Sequence, residues 1–124
     1  MAIQEIRSTD WEEFCGRFER LHRGDLMNLF HIHASGYKEE KVSGLPLQTM
    51  RFDPSGDCSN RIVVTMAQDG TREIQHEIIE PIHVKVREEQ EGSKGLQIDA
   101  ENGTTILTFS SGRLEELLEG LERV

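Results

Sequence analysis

Positive charge is scarce in this sequence: 14 Lys and Arg stand against 23 Asp and Glu, a formal net charge of −9 over 124 residues. An acidic surface repels a phosphate backbone and gives no counterion release, which excludes a dedicated nucleic-acid binder. Aromatics are few as well, at 6%, so a stacking platform for single strands is missing. Only two cysteines occur, Cys15 and Cys58, with no C-x-x-C pair and no zinc-finger spacing, so both read as free thiols of a reducing compartment. No apolar run approaches the roughly 20 residues of a membrane span, and the opening MAIQEIRSTD lacks the basic-then-apolar pattern of a signal peptide. The expectation is a cytoplasmic protein with neither membrane nor nucleic-acid partners.

Motifs that start catalytic chemistry are absent too. There is no G-x-S-x-G elbow, no phosphate-binding P-loop, no G-x-G-x-x-G and no H-E-x-x-H, so hydrolase, nucleotide and metalloprotease readings lack a mechanical basis. The stretch FDPSGDCSN carries Asp53, Asp57 and Asn60. Their spacing fails an EF-hand, which needs oxygens at alternate positions and a closing bidentate Glu. Asp99 and Glu101, paired on one strand face, read as a solvated acidic rim.

What is present suits one domain, residues 1–124, long enough to hold a core without staples. Thr9 to His22 has helical periodicity, with Trp11, Phe14, Cys15, Phe18 and Leu21 on one stripe. Thr9 and Glu12 have capping-box spacing, and Gly24 is a natural stop. A second helix is expected from Ser111, with Leu114, Leu117, Leu118, Leu121 and Val124 as its stripe. Between them run strand patterns: Leu26 to Ala34, Leu45 to Asp53, Arg61 to Gln68, Arg72 to Ile79, Ile82 to Glu88, Leu96 to Glu101 and Thr104 to Phe109. Asn102-Gly103 predicts a two-residue hairpin with Ala100 opposite Thr105, Ile98 opposite Leu107 and Leu96 opposite Phe109. At Ile79-Glu80-Pro81 a three-residue connection would place Ile78 by Ile82, His76 by Val84 and Ile74 by Val86 on a common core face. Glu88 to Lys94 reads as a polar loop.

His22-Arg23-Gly24, Leu45-Pro46-Leu47, His76-x-Ile78-x-x-Pro81 and Gly103-Thr104-Thr105-x-Leu107-x-Phe109 together resemble a family of small bacterial proteins of unknown function. The likeness spans nearly the whole chain, with Asp25 departing from the aromatic residue the family pattern has there. It implies the domain limits and no activity, substrate or catalytic residue.

Histidine is the side chain with the most open chemistry. His31 and His33 share a strand face, where two imidazoles could ligate a metal if His83, Glu73 or Asp99 supplied a third donor. The register above turns His76 away from that set. His76 interrupts an aliphatic inward face, so it reads as a hydrogen-bonded core histidine or as a base in a pocket. Arg17, Arg20 and Arg23 near a helix end complement its dipole, with an anion or acidic-partner site as the functional alternative. Arg23-Gly24-Asp25 and Asn102-Gly103-Thr104 spell an adhesion tripeptide and a glycosylation acceptor, but the helix stop and the hairpin turn account for them.

The fold expected is α+β: a bent antiparallel sheet of six or seven strands, sandwich-like or a partly closed barrel, flanked by an N-terminal and a C-terminal amphipathic helix. Met27, Leu29, Val63 and Ile106 fall opposite the assigned core and need a cover. That surplus points to a non-enzymatic interaction or regulatory module, binding a protein partner or itself, with no cofactor. The alternative is a small ligand- or metal-binding protein or enzyme, with its pocket at His76 or at the His31 and His33 pair.

Overall fold

The computed structural model of the chain describes residues 2–54, 60–67, 73–88 and 94–109. Strand β1 (Ala2–Ile6) leads through a 3₁₀ turn (Ser8–Asp10) into helix α1 (Trp11–His22). Then come β2 (Leu26–Ile32), β3 (Lys38–Pro54), β4 (Asn60–Met66), β5 (Ile74–Ile79), β6 (Pro81–Glu88), β7 (Lys94–Ala100) and β8 (Gly103–Phe109). The eight strands pair in the order β1-β6-β7-β8-β2-β3-β4-β5, and every pairing is antiparallel.

The 17-residue β3 makes the sheet fold over on itself. Its first part, Lys38 to Pro46, pairs with β2, and its second part, Leu47 to Pro54, pairs with β4. Near the end of the first part Gly44 takes φ +70°, a conformation glycine reaches without strain. The Asn28 side-chain oxygen accepts a hydrogen bond from the Gly44 N–H at 2.9 Å, beside register shifts in the β2–β3 ladder. Such bulges bend a strand and turn its far half in a new direction. As a result β4 and β5 lie against β6 and β7, and the two layers enclose one core.

Met27, Leu29, Leu47, Met50, Ile62, Val64, Ile78, Val84, Leu96, Ile98 and Leu107 fill that core and are essentially inaccessible to water. Each such side chain contributes roughly 1.5–3 kcal/mol. Helix α1 packs on β3. Trp11 meets Phe52 edge-on at 6.0 Å and donates its indole N–H to the Ile6 carbonyl at 3.0 Å, and Cys15 is buried beside it. Gly24, at φ +91°, ends the helix as expected. Its N–H donates to the Leu47 carbonyl, and the Leu47 N–H donates back to the Asp25 carbonyl, so the helix exit is stitched into β3.

The fold expectation needs correction. The sheet has eight strands, and the described residues hold one α-helix, which Ala2–Ile6 precedes as a strand, so the sheet is not flanked by helices at both ends. The helix expected from Ser111 lies outside the described residues. Ala2–Ile6 is too short for its alternation to stand out, and Lys38 to Gly44 is mostly polar because little of it faces the core. The expected capping box is not formed: the helix starts at Trp11 after Asp10, without a side-chain cap.

At Glu80 (φ +55°) the chain crosses between layers. There β5 pairs with β4 while β6 pairs with β1 and β7, so Ile78, His76 and Ile74 have no ladder partners on β6. A bulge between Pro81 and His83 turns Ile82 outward, and it is 56% exposed. The β7–β8 hairpin runs two residues out of the expected register, with Ala100 opposite Gly103, Ile98 opposite Thr105 and Leu96 opposite Leu107. A shift of two keeps every side chain on its face, so Leu96, Ile98, Thr105 and Leu107 point inward as read. Met27 and Leu29 are core residues, so the inward face of β2 is the one that also carries His31.

Candidate functional site

That choice of face decides where the histidines go. His31 follows Met27 and Leu29 inward and is 6% exposed. On β5, His76 follows Ile74 and Ile78 inward. Because β5 folds over the β8 and β2 end of the other layer, the rings of His31 and His76 meet edge to face at 5.5 Å. His33 meets His31 edge to face at 4.5 Å and stacks on Tyr37 at 5.6 Å.

Each ring is anchored differently. His76 Nε2 lies 2.9 Å from the Thr105 hydroxyl oxygen on β8, and His33 Nε2 lies 3.0 Å from a Glu39 carboxylate oxygen. Lys41 Nζ sits 3.9 Å from the same oxygen. His31 rests against Gly103, where an added Cβ would stand 2.8 Å from its Cε1 and Nε2 and 2.6 Å from the Ile32 carbonyl. Its Nδ1 is buried and has no hydrogen-bond partner among the described residues.

The electrostatics come from burial. Loss of water holds the His31 imidazole below its ordinary value, helped by positive charge at His33 and Lys41. The same desolvation, with His31 and Lys41 adding to it, brings His76 down to about 4. The Glu39 carboxyl is lowered, chiefly by its hydrogen bond with His33. The result is that His31 and His76, the two imidazoles between the sheet layers, are held in their neutral form at pH 7.

This cluster differs from the set expected from sequence. His83 lies elsewhere on β6, exposed, with Nδ1 2.6 Å from a Glu5 carboxylate oxygen. Glu73 is exposed. Asp99 accepts from Gln97 and Thr104 and pairs with Lys85 at 3.3 Å. His76, which the register reading turned away, is the residue that joins His31 and His33. Reading Met27 and Leu29 as core would have placed His31 and His76 together. Among the described residues no group of three His, Cys, Asp or Glu side chains is set to hold a metal ion.

A second feature was not legible in the sequence. Between α1 and the sheet lies a cleft of about 360 Å³, lined among the described residues by Phe14, Phe18 and Leu21 from the helix and Met27, Val86, Leu96 and Phe109 from the strands. Gln4, Arg17 and His22 are its polar members. His22 is pinned between Phe18 and Phe109, with ring distances of 4.6 and 4.9 Å. Its Nδ1 lies 3.0 Å from the Asp25 carboxylate, which orients this ring. Leu21 is 75% exposed at the mouth. None of His31, His33 and His76 lines this cleft.

The basic run of α1 is divided in the structure. Arg23 bonds to Glu19 and to the Gln48 carbonyl, and Arg20 flanks a smaller cleft of about 250 Å³ beside Cys15 and Arg51. Arg17 faces the larger cleft and makes no ion pair among the described residues. Burial pushes the Cys15 thiol up to about 12, which makes it a poor nucleophile. Glu19, on the helix stripe between Cys15 and His22, is a buried carboxylate that the periodicity gave no reason to single out.

Asp53 forms an ion pair with Arg61 at 3.8 Å, while Asp57 and Cys58 lie outside the described residues. No helix among the described residues is long and apolar enough to cross a membrane. No curated protein and no solved structure matches the chain. The His22, Leu45, His76 and Gly103 patterns fall on the helix exit, the β3 bend, the histidine cluster and the β7–β8 hairpin, and a family model matches across them all. The chain belongs to a family of unknown function (DUF5335), whose model covers residues 2–115.

Proposed function

We propose that the domain is a non-enzymatic interaction module of the cytoplasm, which takes an apolar segment of a partner protein into the cleft between α1 and the sheet. One observation carries this reading: Leu21, Phe18 and Phe109 open to a concave apolar surface with Arg17 at its rim. A volume of about 360 Å³ falls within the range of roughly 300–1,000 Å³ that binding clefts occupy. Aromatic anchors surrounded by a polar rim are where interface energy concentrates. Arg17 selects a partner whose apolar anchors are followed by a carboxylate, in a domain whose net charge otherwise repels acidic segments.

The test is a titration of the full chain with amphipathic peptides carrying Leu or Phe anchors and a terminal Glu, followed by calorimetry and by the NMR signals of Phe18 and Phe109. Binding that perturbs these rings, weakens at least tenfold in Leu21→Glu and loses salt dependence in Arg17→Gln supports the reading. Protection of the cleft rings without added peptide would assign the cleft to the chain's own residues after Phe109, or, where it rises with concentration, to a second copy. Either result overturns partner docking there. The rival reading, a ligand or metal at the histidines, has the unpartnered Nδ1 of His31 in its favour, but those rings line neither cleft.

A further inference from the structure

We propose that β5 is an acid-released latch: a proton taken by His76 inside the histidine cluster is a buried cation with no anion of its own, and β5 detaches from the β7–β8 hairpin to hydrate it while the rest of the sheet stays folded. β5 stands at the end of the strand order, so β4 alone pairs with it. Its attachment to the other layer is a short set of ties, one of them from the backbone, where the Glu101 N–H donates to the Ile79 carbonyl at 3.1 Å. His76 meets the Thr105 hydroxyl, the Asn102 carboxamide accepts from the Ile79 N–H at 3.2 Å and donates to the Glu77 carbonyl at 3.3 Å, and Ile78 enters the core. An end strand with a ladder on one side alone, tied to the other layer near its ends and at one histidine, is an element that opens without global unfolding.

The surroundings of His76 give a cation little support. β2 presents His31, the turn after it His33, and β3 presents Lys41 and Glu39. The β4 neighbour in register is Val64, and β8 offers the neutral Thr105. Glu39, the single anion of the set, is already shared between His33 and Lys41 and is itself partly exposed. A proton on His76 therefore meets the fixed charge of Lys41 and has no carboxylate of its own. In the opened strand the imidazole regains water and its ordinary basicity. The closed form binds its proton only near pH 4, so acidification from pH 7 to 4.5 raises the opening equilibrium about 50-fold by proton linkage.

The experiment is hydrogen exchange by mass spectrometry on the full chain at pH 7.0 and 4.5, corrected for the intrinsic pH dependence of amide exchange. The expected result is that the segment 74–79 loses protection about 50-fold, while 26–32 and 94–109 lose several-fold less. His76→Gln keeps a side chain able to bond Thr105 without titrating, and its β5 protection is expected not to respond to pH. Should that variant fail to fold, Lys41→Gln removes the fixed cation acting on His76 and is expected to shrink the acid response of 74–79, read alongside the ring signals of His76 in an NMR pH titration. Equal loss of protection over all strands, or an acid response retained in His76→Gln or undiminished in Lys41→Gln, overturns the latch.

Discussion

Glu19 and Arg51, 32 residues apart in sequence, join α1 to β3 through a hydrogen bond of 3.1 Å from the guanidinium Nε to the carboxylate. The same Glu19 oxygen accepts the Met50 N–H at 3.0 Å, and Arg23 binds the other oxygen. Glu19 is buried while Arg51 is 66% exposed, so only one partner loses its water. The desolvation that usually cancels a buried pair is therefore halved, and the carboxylate is held by donors on both its oxygens.

Replacing Glu19 by Ala leaves the buried Met50 N–H and two guanidinium groups without their acceptor. The expected loss is about 2–4 kcal/mol, measured by urea denaturation. Glu19→Gln keeps an acceptor for the amide and is expected to lose less.

Gly103 takes φ +121° with the Ile32 carbonyl and the His31 ring pressed against it. Gly103→Ala is expected to destabilise by more than about 2 kcal/mol, since backbone strain and a steric clash combine. Thermal melting of the variant against Gly24→Ala, which has open space around it, separates the clash from the conformational part.

Stability is expected to fall with acid in two windows. His76 is depressed when folded, so the unfolded chain binds more protons below pH 6.5, and the contribution present above that pH is lost as pH falls toward about 4. Burial alone would raise the Glu19 carboxyl, but Arg51, the Met50 amide and Arg23 outweigh it and lower it to about 2. Its contribution is present above pH 4.5 and is lost between there and about 2. Each window amounts to about 3 kcal/mol. Denaturation curves from pH 8 to 3 check this, with His76→Gln expected to flatten the upper window only.

Asn102→Ala removes the carboxamide that satisfies the β5 edge at Ile79 and Glu77. The expected cost is about 1 kcal/mol, together with increased self-association through an unprotected strand edge. Sedimentation velocity of the variant against the parent reads the second effect.

Cys15 is 2% exposed with its thiol pushed up to about 12. A thiol reagent added to a Cys58→Ser variant at pH 8 is expected to leave Cys15 unlabelled in the native state and to label it fully in denaturant. Rapid native labelling would refute its burial against β3.

Much of this was legible from patterns that act over a few residues. The α1 stripe, the stop at Gly24, the inward face of β7 and β8 and the alternation of Ile74, His76 and Ile78 depend on periods of 3.6 and 2, and those periods are local. Even where the hairpin register slipped by two residues, the faces survived, because the side-chain period is two.

Alternation states that a strand has two faces and leaves open which one is buried, and that choice decided the rest. β2 could bury Leu26, Asn28, Phe30 and Ile32 or bury Met27, Leu29 and His31. The bend of β3 at Gly44, which lays β5 over β8, selects the second. From that selection come the histidine cluster and the pairing of His76 with Thr105. The chain's composition and short-range periodicity set the kind of elements and the acidic surface. The long-range pairing of β3 with two different strands set which residues share the interior, because burial is a property of the layers that meet and no single strand carries it.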